Sequence, residues 1–338
     1  MEKETMLKKS LLCLLLIIPI PCVAQISNPI IRTIGIESDE DSPYMLGLVV
    51  GLALDDTLNI YVLDRYSCEI RVFSWAGEYL RSIGRGKGPG PGEFLLPMGL
   101  SISPDNTLYI ADYNAGRITL YKSDGEYIDQ IPGIAAFTPP TVIDNEHFYM
   151  ASSAGWTRPH MRKYSRDGSI LIEAVDPVEN AREIAFAQGS VVGHTATPDG
   201  NIVVVRPYPY EIMILDEDLN LIKKWPGEGG IVESPPELTR ELGWQLKAKA
   251  HDVEVGPDGR IAVHISSRED DERASFLDFY SPDGTFISRI PAADFGIEFI
   301  QFYILAPDDI LVCNRTDPYP QILQVDISSY LSSDGNSW

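Results

Sequence analysis

Residues 84–128 read GRGKGPGPGEFLLPMGLSISPDNTLYIADYNAGRITLYKSDGEYI. Short apolar runs (MGLSI, TLYIAD, RITLYK) alternate here with SPDN, YNAG and SDGE, whose Asp, Asn and Gly residues form tight turns. The SPDN turn at Asp105 has counterparts along the chain in LDDT (Asp56), IDNE (Asn145), TPDG (Asp199), GPDG (Asp258) and APDD (Asp308), at steps of 49, 40, 54, 59 and 50 residues. Self-similarity at such a period marks a propeller or a solenoid. A second turn with glycine follows in WAGE (Gly77), SDGE (Gly125), SRDG (Gly168) and SPDG (Gly284), while the fourth copy uses DEDLN. Two short turns per repeat describe a four-stranded antiparallel meander, so the chain reads as an all-β, six-bladed propeller.

The last copy, FYILAPDDILVCNRTDPYPQILQVDIS, supplies only three strands before the polar run SSYLSSDGNSW. The missing strand stands at the other end, where IIRTIG (Ile30 to Gly35) repeats YLRSIG (Tyr79 to Gly84), the outer strand of the first blade. The N-terminal strand is therefore predicted to complete the sixth blade and close the ring, leaving no gap between first and last blades. The expected organisation is a leader over 1–24, a propeller over 25–330 and a polar tail over 331–338.

Residues 6–24, MLKKSLLCLLLIIPIPCVA, have the form of a secretory signal: two lysines, an apolar core, and Cys22 and Ala24 at the small-residue positions before the cut. The apolar run is too short to span a bilayer, and Pro21 disfavours lipid attachment at Cys22. The expected location is periplasmic or secreted, without membrane insertion after processing. A net charge of −22 repels phosphate backbones and excludes nucleic acid as a natural partner. Cys68 and Cys313 survive processing and fall in neighbouring blades, so a disulfide is permitted. Cys313 lies in the apolar run ILVC, which reads more simply as a buried thiol.

Gly90, Gly92, Phe94, Pro97, Asp112, Asn114, Arg117 and Ile118 make residues 84–128 resemble an NHL repeat. The first blade keeps part of that pattern in Asp64, Glu69 and Ile70, and the other blades keep only the period and the turns. The resemblance implies a six-bladed propeller of the exported bacterial kind, a fold shared by interaction modules, lyases and esterase-like hydrolases. Asp112, Asn114 and Arg117 read first as structure: short acceptors for backbone N–H groups and a guanidinium tying loops together. The GRGKGPGPG loop has a phosphate cradle's glycines but lacks the Lys-Ser/Thr pair and the following helix, so it reads as a connector.

Among NHL-like propellers, the amidating lyases hold zinc on the axis with histidines from several blades. Here the start of the inner strands is predicted at Val50, Met98, Thr138, Val192, His251 and Gln301, where only His251 is a good ligand. A catalytic zinc commonly needs three protein ligands, so neither metal nor cofactor is expected. GxSxG, HExxH and P-loop motifs are missing from the sequence.

The two faces of the disc differ. First-to-second and third-to-fourth turns are short and share one face; the other carries long segments, including 154–162, 175–193, 226–250 and 266–274. ESPPELTRELGWQLKAKAH, within 226–250, reads as a short helix across that face. Trp156, Arg158, His160, Arg206, Tyr208, Tyr210, Trp244 and His251 put aromatic and cationic groups on the long-loop side, which is the expected ligand-binding set. The leading reading is a non-catalytic propeller that binds a peptide, a glycan or a partner protein there. The alternatives are a hydrolase or lyase with His251 in an axial site, and a sensor or scaffold domain of a cell-surface complex. Intact-mass measurement of the exported protein is expected to show a chain beginning at Gln25; one that retains Met1 or carries lipid on Cys22 would contradict the leader reading.

Overall fold

The computed structural model describes residues 28–37, 42–136, 138–151, 160–176, 193–206, 209–228, 237–239, 243–245, 248–269, 272–298, 300 and 303–332. Within them the chain is a six-bladed propeller of antiparallel meanders. Blade one comprises Val49–Leu54, Ile60–Asp64, Glu69–Phe73 and Tyr79–Ile83, and blade two Pro97–Ile102, Thr107–Asp112, Arg117–Lys122 and Tyr127–Pro132. Blade four runs from the inner strand Gly193–Ala196 to the outer strand Leu221–Pro226, and blade five from Ala248–Val255 to Phe286–Pro291.

Second strands such as IYVLD, TLYIAD and IVVVR carry an unbroken apolar run up to their charged last residue because both faces of these blades are covered. The side-chain period of two divides them between neighbouring seams. Ile60 and Val62 pack towards blade six, whereas Tyr61 and Leu63 pack towards blade two. The core is thus a circle of six clusters, each between two blades. Cys68 lies in the seam of blades one and two and Cys313 in that of five and six, so both are buried free thiols rather than a disulfide. Burial raises both thiol pKa values, that of Cys313 to about 12.

Ring closure follows the predicted route. Ile30–Ile34 is the outer strand of blade six, antiparallel to Gln321–Asp326, with Arg32 opposite Gln324 and Ile34 opposite Ile322. Three features differ from expectation. Blade three has no full inner strand among the described residues; Thr141 makes a single bridge to Tyr149, since Pro139 and Pro140 lack the N–H donors that a ladder needs. The expected helix within 226–250 is a hairpin, Glu237–Thr239 with Gly243–Gln245, in keeping with the poor helix propensity of Thr239 and Gly243. Segment 266–274 is a hairpin extension of blade five, paired out to Glu269 and Glu272.

Blades one and two are tied to the connectors that precede them. Asp112, at the end of a second strand and 0% exposed, accepts the N–H groups of Leu95 and Leu96 at 2.7 and 2.8 Å. Asp64 does the same for Gly47 and Leu48 at 2.8 and 2.9 Å. Arg117 grips the carbonyls of Pro89, Gly90 and Glu93, so the carbonyls of the glycine-rich loop face a guanidinium. Both residues act as structure, as the sequence suggested. Deleting Asn28 to Ile36 is expected to lower Tm by ~10 °C or more and to cause aggregation, because it exposes the edge of Gln321–Asp326; a truncated protein that melts and behaves like the parent would refute the closure.

Candidate functional site

In blades one, two and four the inner strand approaches its neighbour so closely that one position has no room for a side chain. A Cβ added at Gly51 would lie 2.9 Å from the Leu100 Cβ, at Gly99 2.5 Å from the Pro139 nitrogen, and at Gly193 2.6 Å from the Asp252 Cα. Blade five breaks the series. Gly99, Gly193 and Asp252 each stand six residues before their turn aspartates, and they pair with Ala111, Val205 and His264 in the same register. Asp252 therefore brings a carboxyl group to a position that glycine occupies in blades one, two and four and Pro139 in blade three.

Two residues further along the strands, towards the short-turn face, the channel widens into a cavity of about 530 Å³. Its wall at that level is Ala53, Ser101, Thr141, Thr195, Glu254 and Ile304, one residue from each blade and four of them polar. The Ser101 hydroxyl has no hydrogen-bond partner among the described residues, and Thr195 Oγ1 lies 3.4 Å from Glu254 Oε2. Among the described residues, Asp252 Oδ1 accepts the N–H of Val253, at 3.0 Å. Burial pushes the Asp252 carboxyl up to about 7, and burial together with the neighbouring Asp252 raises Glu254 well above the usual carboxylate range.

His194 closes the gap left by blade three. Its Nε2 accepts the Ala151 N–H at 3.0 Å, so the proton must sit on Nδ1, which donates to Thr141 Oγ1 at 2.7 Å. Thr141 in turn donates to the His194 carbonyl at 3.3 Å. Burial holds the imidazole neutral, with a pKa lowered to about 4. Its contribution to stability is complete above about pH 6.5 and is lost as pH falls through about 4.

The long-loop set is only partly described. Trp156, Arg158 and Tyr208 lie outside the described residues, as do the side chains of Trp244 and His251. His160 and Arg206 meet on one connector: the His160 N–H donates to the Val175 carbonyl at 2.9 Å and Arg206 Nη2 to the Asp176 carbonyl at 3.1 Å. Arg206 also pairs with Glu211 at 2.8 Å. Tyr210 lies apart from them, 7% exposed in the seam of blades four and five, its hydroxyl 3.1 Å from that of Tyr280 and 3.4 Å from Asp278 Oδ2. The acids Asp252 and Glu254 were missed because the repeat alignment stopped at His251, one position short. Read one residue on, the column Gly51, Gly99, Pro139, Gly193, Asp252 and Phe302 has Asp252 as its one ionisable member. Among the described residues no three His, Cys, Asp or Glu side chains converge to hold a metal.

A family model described as a 6-bladed beta-propeller matches residues 52–153. No curated protein matches the chain in sequence. The fold is similar to a member of the DUF4221 family from Bacteroides vulgatus, with 11% identity, a TM-score of 0.59, and coverage of 82% of this chain and 92% of that one. It is also similar to a Bacteroides fragilis structure described as an exported protein (14% identity, TM-score 0.58, coverage 84% and 83%). A third likeness is to a catalytically inactive virginiamycin B lyase from Staphylococcus aureus with quinupristin (12% identity, TM-score 0.52, coverage 86% and 83%). At these identities the likeness extends to the fold alone.

The raised carboxyl groups have a measurable cost. The folded protein keeps protons that the unfolded chain releases between about pH 4 and about pH 7, so stability falls as pH rises through that window. Asp252→Asn and Glu254→Gln are each expected to raise Tm by several degrees at about pH 8 and to change it little at about pH 4. Equal effects at both pH values in calorimetric scans would show that the carboxyl charge is not what the fold resists.

Proposed function

We propose that the chain is an exported, non-catalytic propeller that recognises a peptide, a glycan or a partner protein, and that the recognition site is the axial cavity opening on the short-turn face. The observation that carries this reading is the pair of carboxyl groups at the cavity wall and its narrow ring, which no described cation neutralises. Elsewhere the buried acids Asp64, Asp112 and Asp278 have backbone N–H or guanidinium partners. A concave site of this volume with a few convergent polar groups on rigid strands is the usual form of a ligand pocket. Export is supported by the signal-like leader and by the description of the Bacteroides fragilis neighbour. No helix among the described residues is long and apolar enough to cross a membrane.

The competing surface for the same activity is the long-loop set around Trp156, Arg158, His160, Arg206, Tyr208, Tyr210, Trp244 and His251. A different reading, an acid-base hydrolase or lyase at the axis, is favoured by one observation: the Asp252 carboxyl titrates near neutral pH and is the chain neighbour of His251.

Arrays of peptides and oligosaccharides probed with the labelled protein separate these readings. Hits are expected to weaken by about 1–3 kcal/mol in Ala196→Trp, which fills the cavity, and to persist in Asp124→Ala and Asp283→Ala on the rim turns. Loss in Trp156→Ala or Arg206→Ala with retention in Ala196→Trp would move the site to the long-loop face. Turnover of an array compound, abolished by Asp252→Asn, would replace binding with catalysis.

A further inference from the structure

We infer that the axial cavity takes a positively charged group, an amine or guanidinium on a short flexible chain, seated against Glu254 and Asp252; this rests on the cavity reading above. No Lys or Arg lines the cavity among the described residues, whereas Asp55, Asp56 and Glu254 do. A cleft lined by one sign of charge, with protein walls of low dielectric, concentrates the opposite sign within it.

Among the described residues the surrounding elements supply no cation. His194, on the inner strand of blade four, has both ring nitrogens engaged and stays neutral. His264, on the adjoining second strand of blade five, lies 2.7 Å from the Ser275 hydroxyl through Nε2. Tyr303, from the inner strand of blade six, donates to the backbone carbonyls of Ala262 and Asp252 at 2.9 and 3.4 Å. Arg206, at the far end of the second strand of blade four, is paired with Glu211. The side chain of His251, the next residue on the strand, lies outside the described residues.

A bound ammonium changes the balance at this site. It offers three donors to oxygen atoms that now have Val253 N–H and Thr195 Oγ1 as their described partners. It also removes the penalty on ionising the buried carboxyl groups, so its arrival drives protons off them. Affinity for a cation therefore rises with pH through the range in which the empty site holds those protons. A neutral polyol would meet the hydroxyl-bearing wall with no such dependence.

Calorimetric titration of the whole protein with three probes of equal chain length tests this: cadaverine, pentanediol and glutarate. Cadaverine is expected to bind with one-to-one stoichiometry, about tenfold more tightly at about pH 8 than at about pH 5.5, with protons released to the buffer. Glu254→Gln and Asp252→Asn should each weaken it about tenfold at about pH 8 while the protein remains folded by circular dichroism, and Ala196→Trp should block it. Pentanediol or glutarate binding as well as cadaverine, and being blocked by Ala196→Trp, would overturn the cationic class and leave the cavity as the site. Cadaverine binding unchanged in all three variants would overturn the inference by placing the amine elsewhere. Failure of all three probes at about millimolar concentration would overturn it together with its cavity premise.

Discussion

Everything in this fold depends on how tightly six strands can meet on one axis. Gly51, Gly99 and Gly193 allow the neighbouring inner strand within a distance that a methyl group would block. That contact draws the blades together so that their flanks close into six apolar seams. Since every blade is covered on both sides, its second strand has no polar face, and the alternation usual in antiparallel sheets disappears. The narrow ring also defines the base of the axial cavity, because the strands diverge from it towards the short-turn face. One constraint on side-chain size thus sets both the packing of the disc and the position of its concavity.

Charge is handled differently at the seams and at the axis. Asp278 is fully buried, yet Arg289 reaches it with two nitrogens at 2.6 and 2.8 Å and Tyr210 approaches it across the blade four and five seam. Asp64 and Asp112 have backbone N–H groups as partners. Burial of an acid is tolerated where such partners compensate it. Asp252 and Glu254 lack comparable compensation among the described residues. Asp252 and Glu254 are also half-buried where the seam acids are fully buried, and this contrast is why the axial pair carries the functional reading.

The architecture was legible because it is repetitive. Turn aspartates at a regular period, the second glycine turns, and the match between IIRTIG and YLRSIG specify blade number, strand count and closure without any knowledge of packing. The glycine-rich loop and Arg117 were also legible as structure, since the sequence lacks what a phosphate site would need. What was not legible lay where local pattern and tertiary context part company. The run around Trp244 has helix-like apolar spacing but forms a short hairpin, and blade three loses its inner strand to two adjacent prolines. The axial acids were hidden for another reason: a carboxylate in a β-strand looks like a solvated residue until the repeats are overlaid and the rest of its column proves to be uncharged.

A closed hoop is as strong as its weakest joint, and the joint here is blade three. Where the other blades have an inner strand, this one has a single bridge and an imidazole that fastens Thr141 to one side and Ala151 to the other. The imidazole works as a two-pronged rivet, and the rivet fails when both prongs become donors. The joint is then held by the apolar seam of Tyr149, Met161, Ile202 and Val204 and by the Lys163–Asp218 ion pair, without a paired inner strand on the third blade's side. Protonating one imidazole thus shifts the work of this joint from directional bonds to apolar packing.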